Sequence, residues 1–218
     1  MRTIDLRDTT LSAAQLRQVL PRAEVDVTAA IDVVRPILDR VRAEGAAALA
    51  EYSRTFDGVT PASLRVPQEV LTAALDDLPQ SLRAALTEAI ARTRAAHRAQ
   101  LPRPATTSFG DGAAVYQRWV PVQRVGLYVP GGLAVYPSSV VMNVVPAQEA
   151  GVAALALASP PQADNDGWPD PVILATCALL GVDEVYAVGG AQAVGMFAYG
   201  VEPTGGQDHG AGPENTCE

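Results

Sequence analysis

The chain has 218 residues, enough to bury a core in one large or two small domains. With 48% apolar and 18% charged residues it is expected to fold and stay in solution rather than remain disordered. A net charge of −8 and arginines that form no basic run argue against a nucleic-acid partner, because phosphate binding needs clustered Lys and Arg. Two cysteines, Cys177 and Cys217, are too few for a disulfide framework, so a reduced, cytoplasmic protein is expected. The first residues lack the apolar run of a signal peptide. No stretch approaches the roughly 20 apolar residues of a membrane span, so a membrane partner is not expected.

The first hundred residues read as helices. Residues 29–41 carry Ile31, Val34, Ile37, Leu38 and Val41 at helical spacing, with Pro36 expected to start, kink or split the segment. A second helical stretch covers 45–54 and ends in the Asp57-Gly58 turn. Residues 67–75 read as a short helix and 80–100 as a long one, with Leu82, Leu86, Ile90 and Ala91 on one face. Pro102 and Pro104 stop it. Residues 106–109 and 114–120 then flank Gly110-Asp111-Gly112, the signal of a hairpin with a glycine-containing loop.

From Arg124 strands and helices alternate. Residues 125–129 form a continuous apolar run, expected to be a strand buried on both faces, and Pro130-Gly131-Gly132 turns the chain. Ser138 or Ser139 is expected to cap a helix reaching about Ala150, disturbed at Pro146. Residues 152–158 form the second strand, closed by Ser159-Pro160-Pro161. Asp170 caps a helix with Pro171 at its first position and Gly181 at its end. Residues 184–188 form the third strand, and Gly189-Gly190 leads into a helix over 191–199. This order predicts an α/β fold: a helical N-terminal region with a hairpin over 1–123, then an incomplete Rossmann-like parallel layer over 124–218. The tail over 201–218 is polar and shows no apolar period.

In open α/β sheets, ligands bind outside the carboxyl ends of the strands. Two such ends carry glycine pairs, at Gly131-Gly132 and Gly189-Gly190, where backbone could approach a ligand and a helix N-terminus offers free N–H groups. Tyr128 could stack on a flat group there, and the Gln192 amide could both donate and accept. Each also has a plain structural account, a core aromatic and a helix-end amide, and spacing alone leaves both open. G-x-G-x-x-G is absent, and no acidic residue ends the second strand to hold a ribose hydroxyl. His97 reads as a solvated or packed histidine, and His209 has no partner histidine. Cys177 sits on an apolar helix face and reads as core. Ser138-Ser139 has no nearby base, and helix packing explains Tyr136 and Asn143 as well as a cleft does. The residues offer no convergent metal set.

The segments Val125-Gly126-Leu127-Tyr128-Val129-Pro130-Gly131-Gly132, Ala134 through Asn143, Pro146-Ala147, and Val188-Gly189-Gly190-Ala191-Gln192-Ala193-Val194 with Ala198-Tyr199-Gly200 strongly resemble histidinol dehydrogenase. Phe56-Asp57-Gly58 and Arg118-Trp119-Val120-Pro121-Val122 add weaker similarity, so the resemblance spans the chain up to Gly200. It implies a partial aldehyde-dehydrogenase-like fold and a cytoplasmic, homodimeric, NAD-linked zinc enzyme. That enzyme oxidises L-histidinol through the aldehyde to L-histidine, the end of histidine biosynthesis. It also implies NAD contacts at Tyr128, Gln192 and Asn215. The family's zinc ligands and its Glu-His catalytic pair are expected in a second half, so neither a catalytic nor a metal residue is assigned here. Gly212-Pro213-Glu214-Asn215 takes the register of a family Gly-Pro-Gly-Asn turn, and Asp208 that of a family aspartate. The residues around them are not the expected apolar strand. A truncated or frame-disturbed product, inactive by itself and with apolar surface exposed, is expected. The alternatives are a non-catalytic dinucleotide-binding remnant and an aldehyde-dehydrogenase-like thiol enzyme using Cys177.

Overall fold

The computed structural model describes residues 4–7, 9–20, 27–131 and 134–201. The chain divides into two compact units, residues 1–35 and 36–218. In the first, helix α1 (Ala13–Val19) opens on a capping box. The Ser12 hydroxyl accepts from the Gln15 N–H at 3.3 Å, and the Ser12 N–H donates to Gln15 Oε1 at 2.9 Å. Helix α2 (Val27–Glu44) contains Pro36 in its interior. Pro36 therefore neither starts nor splits the helix; it lacks an N–H to donate, and the packed face on its C-terminal side, where Val41 is buried, holds the helix there.

The second unit is built on three parallel strands, β3 (Arg124–Tyr128), β4 (Ala154–Ser159) and β5 (Glu184–Ala187), in the order β3-β4-β5. Leu127 pairs with Leu157, and Leu157 with Val185. Period-two alternation sends these side chains to two cores. Leu157 and Val185 pack with Val140, Val144, Ile173, Leu174 and Cys177, from helices α6 (Pro137–Glu149) and α7 (Pro171–Leu179). Ala156, Ala158 and Tyr186 pack on the opposite side with Val41, Leu49, Ala193 and Met196. Those come from α2, α3 (Ala46–Tyr52) and α8 (Gly190–Tyr199). The result is a helix–sheet–helix sandwich, the α/β layer expected from the alternating pattern.

The strand over 124–128 is less buried than its apolar run predicts. It takes the edge beside β4, so its side chains are half-buried and Gly126 is exposed. At the other edge β5 is covered: the Val66 N–H donates to the Val185 carbonyl at 2.8 Å and the Ala187 N–H to the Leu64 carbonyl at 2.8 Å. Helix α6 starts differently from expectation. Pro137 occupies its first position and Tyr136 its cap, which places Ser138 and Ser139 inside the first turn. Asp170 does cap α7, its Oδ1 accepting from the Val172 N–H at 2.8 Å.

Two further helices, α4 (Gln68–Asp76) and α5 (Gln80–Gln100), extend the layer that holds α6 and α7. On α5, Leu86 is buried and Leu82 and Ile90 partly so, whereas Ala91, one residue round the helix, is exposed. Arg98 Nε binds Glu149 Oε2 at 2.7 Å, and Gln148 Nε2 donates to the Leu180 carbonyl at 2.7 Å, tying α5, α6 and α7 together. The predicted hairpin is present as β1 (Ala105–Ser108) and β2 (Ala114–Gln117), an antiparallel pair closed through positive-φ Gly110 and Gly112. Every residue of both strands is exposed.

Candidate functional site

The carboxyl ends of β3, β4 and β5 meet in one place. Strand β3 ends on Tyr128, which the strand period points at the α8 side with Gly126. Strand β4 ends on Ser159, 1% exposed, and continues into Pro160. After β5 the chain passes Val188 and Gly189 and starts α8 at Gly190, whose φ of 60° suits glycine. The Gly190 N–H donates to the Tyr128 hydroxyl at 3.1 Å, across the end of β4. The two outer strands of the sheet are thereby joined over the middle one.

Gln192 sits directly behind this turn. It is 2% exposed, and its Oε1 lies 2.6 Å from the point a Cβ on Gly190 would occupy. Any side chain at Gly190 would displace the amide, so the glycine and the glutamine form one unit. Gly131 is also close: a Cβ there would lie 3.3 Å from Pro160 and 3.6 Å from the Ser159 hydroxyl. The site thus brings together Tyr128, Gly131, Ser159, Pro160, Gly189, Gly190 and Gln192, with backbone bare of side chains at three of them. These residues form a glycine-lined cradle at the carboxyl edge of the sheet.

One residue here escaped the sequence reading. Asp57 closes a π-helical turn, Ser53–Asp57, that follows α3, and Gly58 ends it in the left-handed region at φ 72°. Tyr52 and Phe56 stack at 5.3 Å within this segment, and the Arg40 guanidinium lies 5.4 Å over the Tyr52 ring. So braced, the turn brings Asp57 Oδ1 to 3.3 Å from the Cβ position of Gly189, while its Oδ2 is buried without a hydrogen-bond partner. Burial pushes the carboxyl up to about 6. The sequence signal was an Asp-Gly pair read as a helix-ending turn and the weaker family resemblance of Phe56-Asp57-Gly58, neither of which assigned Asp57 to a site.

The other candidates fall elsewhere. Cys177 is fully buried and burial pushes its thiol up to about 12, the opposite of what a nucleophile needs. The Asn143 amide donates to the Ser139 carbonyl at 2.8 Å, a bond within its own helix. Tyr136 is exposed, and His97 lies in the last turn of α5. Gly132, Asp208, His209, Cys217 and Asn215, with the turn that precedes it, lie outside the described residues. Among the described residues no three His, Cys, Asp or Glu side chains are grouped to hold a metal ion, and no helix is long and apolar enough to cross a membrane.

The family model described as histidinol dehydrogenase matches residues 20–216. The chain belongs to the histidinol dehydrogenase family. It is similar to the histidinol dehydrogenase of Mycolicibacterium smegmatis, with 58% identity over 95% of this chain and 47% of that protein. To the histidinol dehydrogenase of Thermobifida fusca it is 62% identical, over 90% of this chain and 44% of that protein. The crystal structure of histidinol dehydrogenase from Elizabethkingia anophelis superposes with a TM-score of 0.77 at 27% identity, over 88% of this chain and 44% of that chain. This histidinol dehydrogenase-family chain therefore spans about half the length of the relatives it matches, and the half it spans holds the glycine turns, Tyr128, Gln192 and Asp57.

Proposed function

We propose that the chain carries the dinucleotide-binding part of a histidinol dehydrogenase, with NAD held by Tyr128, Gln192 and Asn215. The observation that supports this most is the hydrogen bond from the Gly190 N–H to the Tyr128 hydroxyl, with buried Gln192 behind it. It gathers the two glycine turns at the carboxyl edge of a parallel sheet, where dinucleotides bind in folds of this class. The Tyr128 ring supplies a stacking face, and the Gln192 amide supplies a donor and an acceptor. The amino end of α8 offers N–H groups to a pyrophosphate. NAD, when bound, accepts the hydride released from the alcohol carbon.

Within this reading residues 1–123 belong to the family's first domain and 124–218 to an incomplete Rossmann-like domain of an aldehyde-dehydrogenase-like fold. The whole enzyme is a cytoplasmic homodimer that oxidises L-histidinol through the aldehyde to L-histidine with zinc. Zinc needs three or four convergent ligands, which the described residues do not supply. As the family resemblance implies, zinc, substrate ligation and proton transfer are assigned to the part of the relatives that this chain does not span.

Calorimetric titration of the chain with NAD tests the reading. Tyr128→Ala and Gln192→Ala are each expected to weaken NAD binding about tenfold, equivalent to about 1.4 kcal/mol. Unchanged affinity in both variants would remove the assignment. The pure chain is expected to produce no NADH from histidinol, with or without added zinc, and measurable turnover would overturn the division of labour.

A further inference from the structure

Dinucleotide folds commonly hold a ribose with an acidic side chain at the end of the second strand. Here that strand, β4, ends in Ser159-Pro160-Pro161 and supplies no carboxylate. Asp57 reaches the same place from a distant part of the chain. Its Oδ1 and the Pro160 side chain both crowd the Cβ position of Gly189, at 3.3 and 3.0 Å. They therefore share one wall of the cradle beside the turn that binds Tyr128. Asp57 Oδ2 is buried with no hydrogen-bond partner. An unpaired buried carboxylate oxygen is costly, and a ligand hydroxyl that donates to it removes the cost. Gly189 is needed for this arrangement, because any side chain there would meet both the carboxylate and the proline ring. The turn that carries Asp57 is itself fixed by the Tyr52–Phe56 stack and the left-handed Gly58.

We propose that the Asp57 carboxylate is the acceptor for a ribose diol of the bound dinucleotide, replacing the acidic residue that β4 lacks. The proposal rests on the reading of Tyr128, Gly190 and Gln192 as an NAD site. It assigns Asp57 a specificity role: the carboxylate recognises sugar hydroxyls and leaves hydride transfer to other groups.

Calorimetric titration of the whole chain compares NAD with analogues lacking the hydroxyls of the adenosine ribose or of the nicotinamide ribose. NAD is expected to bind Asp57→Asn about tenfold more weakly than wild type. The analogue that lacks the recognised hydroxyls is expected to bind both proteins alike, and which analogue does so identifies the ribose. Should Asp57→Asn lose its far-ultraviolet circular dichroism, Asp57→Ser takes its place. Wild type that binds both analogues as tightly as NAD overturns the proposal without any variant. Equal NAD affinity in wild type and Asp57→Asn, with Tyr128→Ala impaired, overturns the Asp57 role and leaves the NAD site standing. Failure of wild type to bind NAD overturns both.

Discussion

Burial raises the Asp57 carboxyl to about 6, well above the ordinary carboxylate value near 4. Between about pH 4 and pH 6 the folded chain thus keeps a proton that the unfolded chain has lost. The contribution of this group to stability is fully present below about pH 4 and falls as pH rises through the folded pKa. Asp57→Asn cannot ionise and escapes that loss. Its urea midpoint, measured against wild type at several pH values, is expected to coincide with wild type at the acid end and to exceed it increasingly up to about pH 6. A difference that stays constant with pH would show that the carboxylate is not desolvated. Glu51, whose pKa the Arg40 guanidinium lowers, changes stability in the opposite sense, which is why the comparison is a difference between two proteins. At Cys177 the residue reading from sequence held, because an apolar helix face leads directly to burial.

Among the elements, strand β3 and helix α8 are locked by a missing side chain. A Cβ on Gly126 would lie 2.4 Å from Phe197 Cγ, so the phenylalanine ring occupies the space directly above the strand. The same ring meets Tyr186 edge-on, with centroids 5.9 Å apart, which pins α8 over both outer strands. Gly126→Ala is expected to destabilise the chain by roughly 1–3 kcal/mol through overpacking, read as a fall in the urea midpoint. On a Phe197→Ala background the same substitution is expected to cost less, because the ring is gone. Equal costs on both backgrounds would mean that the ring is not what excludes the methyl group. A displaced α8 also moves the Gly190 N–H away from the Tyr128 hydroxyl, so packing and site geometry share this contact.

For the whole molecule, the segment from Leu101 to Val122 presents large apolar side chains to solvent. Phe109, Val115, Tyr116, Trp119 and Val120 are between 56% and 75% exposed, on and beside a two-stranded ribbon. Exposed apolar side chains on both faces of a ribbon favour association, and an unpaired ribbon edge adds hydrogen-bonding groups. The relatives are about twice as long as this chain. The chain is expected to self-associate at micromolar concentrations in sedimentation velocity. Replacing Tyr116, Trp119 and Val120 by serine should shift it toward monomer. A monodisperse monomer of the unaltered chain would show that this surface is not adhesive.

The sequence by itself did not show α1 or the π-helical turn, but it determined the order of the α-helices and strands from α2 onward, the hairpin and the parallel layer. Those follow from local signals: period 3.6 against short apolar runs, Pro171 after Asp170, and glycines at φ values other residues avoid. It also marked Tyr128 and Gln192, because both adjoin glycine turns at strand ends. Only the tertiary structure decided how these parts meet. Strand order put β3 at an edge and half-exposed it, which an apolar run cannot reveal. The bond between the Tyr128 hydroxyl and the Gly190 N–H spans 62 residues. Asp57 reaches Gly189 from still farther away in the chain. Local patterns carry no information about such separations; the pairing of strands and the packing of α3 against α8 set them.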